Sequence, residues 1–258
     1  MAPITREQAL ENALASSRIE GYEVTEQTRA DCRRLMDGKV DARTLAAEIL
    51  ARRRAQRGEN TMANYAVDSL QDGCYPGTVV LINILGIQNQ PDLDAVEGTI
   101  VPAKAALWEE KPLAGSFDFA HYCAIHRFLF EDLYEWSGKP RTVGISKKGT
   151  QFCPAAQIES TAKAIFARLE KQRFLVGLDR AHFISAIVDF YERTNELHPF
   201  REGNGRTQRV FLSQLAHHAG YVIDFACVDP DDLMIATIQA AGGVDDFLKE
   251  LFDEMISE

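Results

Sequence analysis

The chain has 258 residues, 46% of them hydrophobic, with 28 Lys+Arg against 38 Asp+Glu and a formal net charge of −10. That is enough apolar content for a buried core in one or two domains, and an acidic chain of this kind opposes broad electrostatic binding to nucleic acid. No stretch approaches the roughly 20 apolar residues of a membrane span, and the start lacks the apolar run of a secretory signal, so the expected setting is the cytoplasm with no membrane partner.

Residues 1–60 hold 11 basic and 10 acidic side chains, nearly balanced against the acidic remainder. Their apolar spacing predicts three helices. The first runs from Arg6 to Ile19 with Ala9, Leu10, Ala13 and Leu14 on one face; the second is capped by Thr25 and closed by Gly38; the third opens at Asp41, with Leu45, Ala46, Ile49 and Leu50 as its stripe. The cluster Arg52, Arg53, Arg54 and Arg57 suits that helix's C-terminal end and reads as a solvated face. A polar break at Gly58–Thr61 marks the expected boundary between an arm, 1–60, and a main body, 62–258.

In the main body Tyr75-Pro76-Gly77 is a turn, and Val79 to Ile87 is apolar enough for a short buried helix or strand. A wide apolar stripe from Asp118 to Trp136 predicts a central helix. After it, Arg141 to Ser146 alternates Val143 and Ile145 against Thr142, Gly144 and Ser146, and a turn at Lys147-Lys148-Gly149 leads into Thr150-Gln151-Phe152, a hairpin pattern. Helices are expected again at 155–172, 178–196, 206–219 and from Asp245 to Ile256. The class is therefore all-α with one small hairpin. Cys32, Cys74, Cys123, Cys153 and Cys227 form no C-x-x-C pair and suggest neither a zinc site nor a disulfide framework. His121 with His126 and His217 with His218 likewise make no metal pair.

The functional groups concentrate between two helices, in His198-Pro199-Phe200-Arg201-Glu202-Gly203-Asn204-Gly205-Arg206-Thr207-Gln208-Arg209. Gly203 and Gly205 admit φ > 0 and close approach of a ligand, and the next helix offers free N–H groups and a positive dipole end. Glu202 is a hard oxygen ligand suited to Mg²⁺ on phosphates. Arg206 and Arg209, on one face of the first turns, oppose the dipole unless an anion is bound. His198 suits a general base, because the unperturbed pKa of a histidine lies near neutral pH. Together they point to transfer from a nucleotide.

This stretch resembles, at every defining position, the signature H-x-F-x-[DE]-G-N-G-R-x-x-R of the Fic family, and the likeness extends over about residues 75–220. It implies a Fic-fold helical bundle in which His198 is the general base, Phe200 anchors the loop, Glu202 holds Mg²⁺, and Gly203, Asn204, Gly205, Arg206 and Arg209 bind the phosphates of ATP. The implied reaction transfers AMP to a Tyr, Thr or Ser hydroxyl of a target protein, with topoisomerase subunits as targets by family analogy. Residues Arg141, Thr142, Val143, Gly144, Ile145, Ser146, Gln151 and Phe152 would form the flap that registers the target chain.

In the arm, Ser16-Ser17-Arg18-Ile19-Glu20-Gly21 resembles the [ST]-x-x-x-E-[GN] motif of the small antitoxins that accompany Fic toxins. The resemblance implies that Glu20 pairs with Arg209, helped by Ser16, and holds the site off in cis. Two alternatives stay open: a Fic-type transferase with another nucleotide or phosphate-containing donor, and a catalytically silent nucleotide-binding module.

Overall fold

A computed structural model describes residues 4–57, 73–112, 115–147 and 150–257. The break expected at Gly58–Thr61 lies outside them, as do Lys148 and Gly149 of the hairpin turn.

The arm folds as its caps dictate. Thr5 and Gln8 exchange a capping box at the start of α1, Arg6–Ile19, Thr25 and Thr28 do the same for α2, Glu26–Met36, and Asp41 accepts the Thr44 N–H at 2.8 Å before α3, Ala42–Arg57. Such side-chain oxygens satisfy N–H groups that a helix start leaves without partners. The apolar faces of these helices pack on α4, Gln90–Glu110, and their buried residues belong to one core cluster with the rest of the chain. Asn12 of α1 donates to Glu109 of α4 at 3.1 Å and accepts the Phe225 N–H at 2.9 Å, riveting the arm to the body.

Helix α4 is 21 residues long and buries Leu93, Val96, Ile100, Val101, Ala103, Ala106 and Trp108 around its circumference. Glu97, Thr99 and Lys104 are buried with them, so polar side chains mark no solvent face and the helix has no readable period, which explains why the sequence pattern leaves it unassigned. Against it lie α5, Phe119–Phe130, and α8, Asn204–Ala219, with α6, Ile158–Lys171, α7, Arg180–Leu197, α9, Pro230–Ala241, and α10, Asp246–Met255, completing the bundle. No described helix is long and apolar enough to cross a membrane.

Three expectations are corrected, and one pairing is added. The central helix ends at Phe130, and residues 131–138 continue as turns closed by bonds such as Leu133 N–H to Phe130 O at 3.0 Å. Val79–Ile87 forms neither a buried helix nor a strand: apart from a single bridge between Cys74 and Leu81 it is irregular, and Val79, Ile82 and Ile84 are exposed. In the hairpin only β1, Ser146–Lys147, and β2, Thr150–Gln151, pair, antiparallel with Ser146 opposite Gln151, whereas 141–145 is unladdered. A second two-stranded pairing, β3, Val222–Ile223, with β4, Ile256–Ser257, ties the end of the chain beside α8; two-residue strands are too short for alternation to reveal.

Candidate active site

The loop from His198 to Gly203 is shaped by its own side chains. His198 is the C-cap of α7 in a left-handed conformation, φ 42° and ψ 60°, which costs a non-glycine residue roughly 1–2 kcal/mol. Asn204 holds the turn that follows: its Oδ1 accepts the Phe200 N–H and its Nδ2 donates to the Phe200 carbonyl, both at 2.8 Å. The Asn204 side chain is therefore spent on the loop, leaving its backbone N–H as what it can offer an anion. Phe200 is fully buried as the anchor, its ring stacked 3.8 Å from His126 and nearly parallel to Tyr122.

His126 is a structural strut that the motif does not announce. Its Nδ1 accepts the Gly138 N–H at 2.8 Å, so the proton sits on Nε2 and is donated to the Glu202 carbonyl at 3.0 Å. Burial pushes its pKa down to about 3, which keeps it neutral in that role.

The two glycines differ in why they are needed. Gly203, at φ 79°, is left-handed, and a Cβ there would lie 2.2 Å from the Phe130 ring; Gly205 is helical, and a Cβ there would lie 2.1 Å from Glu20 Oε1. The Glu20 carboxylate thus rests on the backbone at the N-terminus of α8, where N–H groups and helix dipole favour an anion.

Arg209, buried to 4% exposure, donates from Nε to Ser16 Oγ at 2.7 Å and from Nη2 to the Ser16 carbonyl at 3.1 Å and to Glu20 Oε1 at 2.5 Å. Arg206, equally buried, reaches Glu97 of α4 at 2.6 Å and Glu202 at 3.1 Å. The fold supplies both cations with carboxylates, Arg209 with Glu20 and Arg206 with Glu97 and Glu202, so the two arginines turn to different partners. Glu202 also accepts the Gly203 N–H at 2.8 Å.

His198 Nδ1 is 3.2 Å from the Asn195 carbonyl. A carbonyl can only accept, so Nδ1 carries the proton and Nε2 the lone pair, the tautomer a general base requires. The Phe152 ring stacks on the imidazole at 3.8 Å and 13°. Beside them a groove of about 390 Å³, lined by Phe152, Asn195, Glu196, Thr237 and Ala241 among others, opens between α7 and α9.

Arg141 is placed differently from a target-docking residue. It is buried, and its guanidinium donates to the carbonyls of His198, Val143 and Cys153 at 2.9, 2.8 and 2.5 Å, while its own N–H donates to Pro199. With Cys153 N–H on the Glu196 carbonyl at 3.0 Å, this fastens one end of the flap to the loop and the other to the last turn of α7. Thr142 and Gly144 are exposed.

The structure brings His198, Glu202, Gly203, Gly205, Arg206 and Arg209 of the body together with Ser16 and Glu20 of the arm. Sequence reading missed Glu97, because a glutamate in an unassigned segment carries no motif, and it missed the roles of His126 and Phe152, which only contacts across the chain define.

The profile of the Fic/DOC family matches residues 116–216, and that of antitoxin VbhA matches residues 6–52. The protein adenylyltransferase VbhT of Bartonella schoenbuchensis is 39% identical over 183 residues, which take in 71% of this chain and 38% of VbhT's own length. A relative named "Probable protein adenylyltransferase Fic" from Salmonella typhimurium is 37% identical over 184 residues, 71% of this chain and 91% of its own. The crystal structure of BepC from Bartonella tribocorum with bound AMPPNP superposes with a TM-score of 0.69 at 28% identity, covering 72% of this chain and 97% of that one.

Proposed function

The chain belongs to the Fic/DOC family, and we propose that it is a protein adenylyltransferase that moves AMP from ATP to a Tyr, Thr or Ser hydroxyl of another protein while its VbhA-type arm holds it off. The observation that carries this reading is the Glu20 carboxylate lying on Gly205 and Arg209: a built-in anion occupies a cradle suited to a phosphate.

With the arm displaced, the backbone N–H groups at the start of α8, with Arg206 and Arg209, bind the phosphates. His198 Nε2 takes the proton of the incoming hydroxyl, its oxygen attacks the α-phosphorus in line, and the bond to the β-phosphate oxygen breaks to release pyrophosphate. An open cleft of about 830 Å³ between arm and α4, whose walls include Tyr22, Arg52 and Asp94, leads to Glu20 and Glu202 and has room for a nucleotide. Among the described residues no three His, Cys, Asp or Glu side chains form a group that could hold a metal ion. Glu202, with its side chain 44% exposed on the loop, suits a cation that keeps most of its oxygen ligands from phosphate and water, and would hold Mg²⁺. Held there, such an ion would neutralise charge on the phosphates. The flap strands receive the target chain by edge pairing, and its neighbouring residues pass the groove beside Phe152.

The test is incubation of the Glu20→Gly variant with bacterial protein, topoisomerase subunits among the first, using α-labelled or γ-labelled ATP in parallel. AMP transfer labels protein from the α position alone. Label from the γ position, or from neither, would overturn the assignment.

A further inference from the structure

The arm grips the site a second time, two residues beyond Glu20. Helix α1 ends in a Schellman motif: Gly21 is left-handed at φ 85°, its N–H bonds the Arg18 carbonyl at 2.8 Å, and the Tyr22 N–H bonds the Ser17 carbonyl at 3.1 Å. This reversal gives the residue after Glu20 a physical need for the left-handed region, and it delivers Tyr22 onto α4.

There Tyr22 meets a prepared socket. Its hydroxyl donates to Glu97 Oε1 at 2.7 Å, the oxygen that Arg206 also reaches at 2.6 Å, while Tyr134 donates to the other carboxylate oxygen at 2.5 Å. The Tyr22 ring lies 5.0 Å from the Arg206 guanidinium, and Phe130 lies 4.9 Å from it. A Cβ on Gly98 would stand 2.8 Å from Tyr22 Cδ1. Glycine inside a helix is unfavourable relative to alanine, and α4 carries one where the ring must fit. Meanwhile, among the described residues, Arg206 Nε and Nη1 are buried without a hydrogen-bond partner, a costly state for donors that a phosphate would satisfy.

We infer that Tyr22 is a second inhibitory latch, separate from Glu20: it ties the arm to Glu97 and covers Arg206, so one arm contact blocks each arginine of the phosphate site. The inference rests on the reading of those arginines as phosphate ligands. Glu97 is the positioning residue that both Arg206 and the latch share. Removing Glu20 alone then leaves the arm held by Tyr22, and full release needs both contacts broken.

The test uses the full chain with Tyr22→Phe, Tyr22→Ala and Gly98→Ala, each alone and with Glu20→Gly. Gly98→Ala leaves the arm's sequence intact, favours the helix and expels the ring by its added methyl. Two quantities are measured: hydrogen exchange at residues 20–24, which needs no activity, and AMP transfer from α-labelled ATP. A lost hydrogen bond to a charged partner predicts exchange raised about tenfold or more in Tyr22→Ala and Gly98→Ala, and transfer about tenfold faster in Glu20→Gly with Tyr22→Ala than in Glu20→Gly, with Tyr22→Phe between. Unchanged exchange and transfer in Tyr22→Ala and Gly98→Ala, with α7 and α8 still protected, would overturn the latch. Raised exchange without any transfer in the Glu20→Gly backgrounds would support the latch and defeat the transferase reading instead.

Discussion

Replacing Ser16 by alanine removes one defined bond of the lock and little else. The Arg209 Nε–H loses its acceptor at 2.7 Å, whereas the Nη2 contacts to the Ser16 carbonyl and to Glu20 persist, one of them being backbone. Alanine is the better helix former, so α1 itself is not weakened. A hydrogen bond from a charged donor contributes about 1.5–3 kcal/mol, so the closed-to-open ratio of the arm should fall roughly 10- to 150-fold, at about 1.4 kcal/mol per tenfold. Glu20→Gly removes one partner of a largely buried ion pair, which costs about 2–5 kcal/mol, a larger shift. Initial rates of protein labelling from α-labelled ATP, at fixed enzyme and ATP, should therefore rank wild type below Ser16→Ala below Glu20→Gly. A Ser16→Ala rate equal to wild type, or above that of Glu20→Gly, would refute the account of how Arg209 is held.

Other consequences follow from the same geometry. His198→Ala in the Glu20→Gly background should lower the labelling rate about 10²- to 10⁴-fold with ATP affinity kept, and near-normal labelling would exclude the histidine as base. Phe200→Ala empties a fully buried ring site stacked on His126; it should cost about 3–5 kcal/mol and lower Tm by roughly 10 °C in a melting curve, and a shift of a degree or two would contradict the anchor. Burial, with Asp224 nearby, pushes the Glu109 carboxyl from its ordinary 4.5 up to about 8. The folded state thus holds that proton more tightly than the unfolded chain, so the stabilisation is full below 4.5 and is lost as pH rises through about 8. Tm should fall across that window, and Glu109→Gln should flatten the slope; a slope unaffected by the substitution would count against it.

The loop was legible because its chemistry is local. His198 to Arg209 lies within 12 consecutive residues, and glycines, a histidine and arginines between two apolar helices have few other uses. The arm was legible for a similar reason: Thr5, Thr25 and Asp41 cap their helices through neighbours three residues away, so the boundaries are written beside them. What escaped depends on distant partners. Helix α4 is surrounded by protein and so has no period; Glu97 gains meaning from Tyr22, Tyr134 and Arg206, none of them near it in sequence. The carboxylate that compensates Arg206 from α4, Glu97, was hidden for the same reason. Arg141 reads as a flap residue by position, yet three backbone carbonyls draw its guanidinium inward.

The central claim is AMP transfer restrained by the arm, and one labelling experiment tests it most directly. Wild type, Glu20→Gly, and Glu20→Gly with His198→Ala are incubated in bacterial lysate with α-labelled ATP and Mg²⁺, each first shown to be folded. The account predicts a labelled protein band that is strong in Glu20→Gly and weak or missing in the other two. No band in any of the three, or equal bands in all, would contradict it.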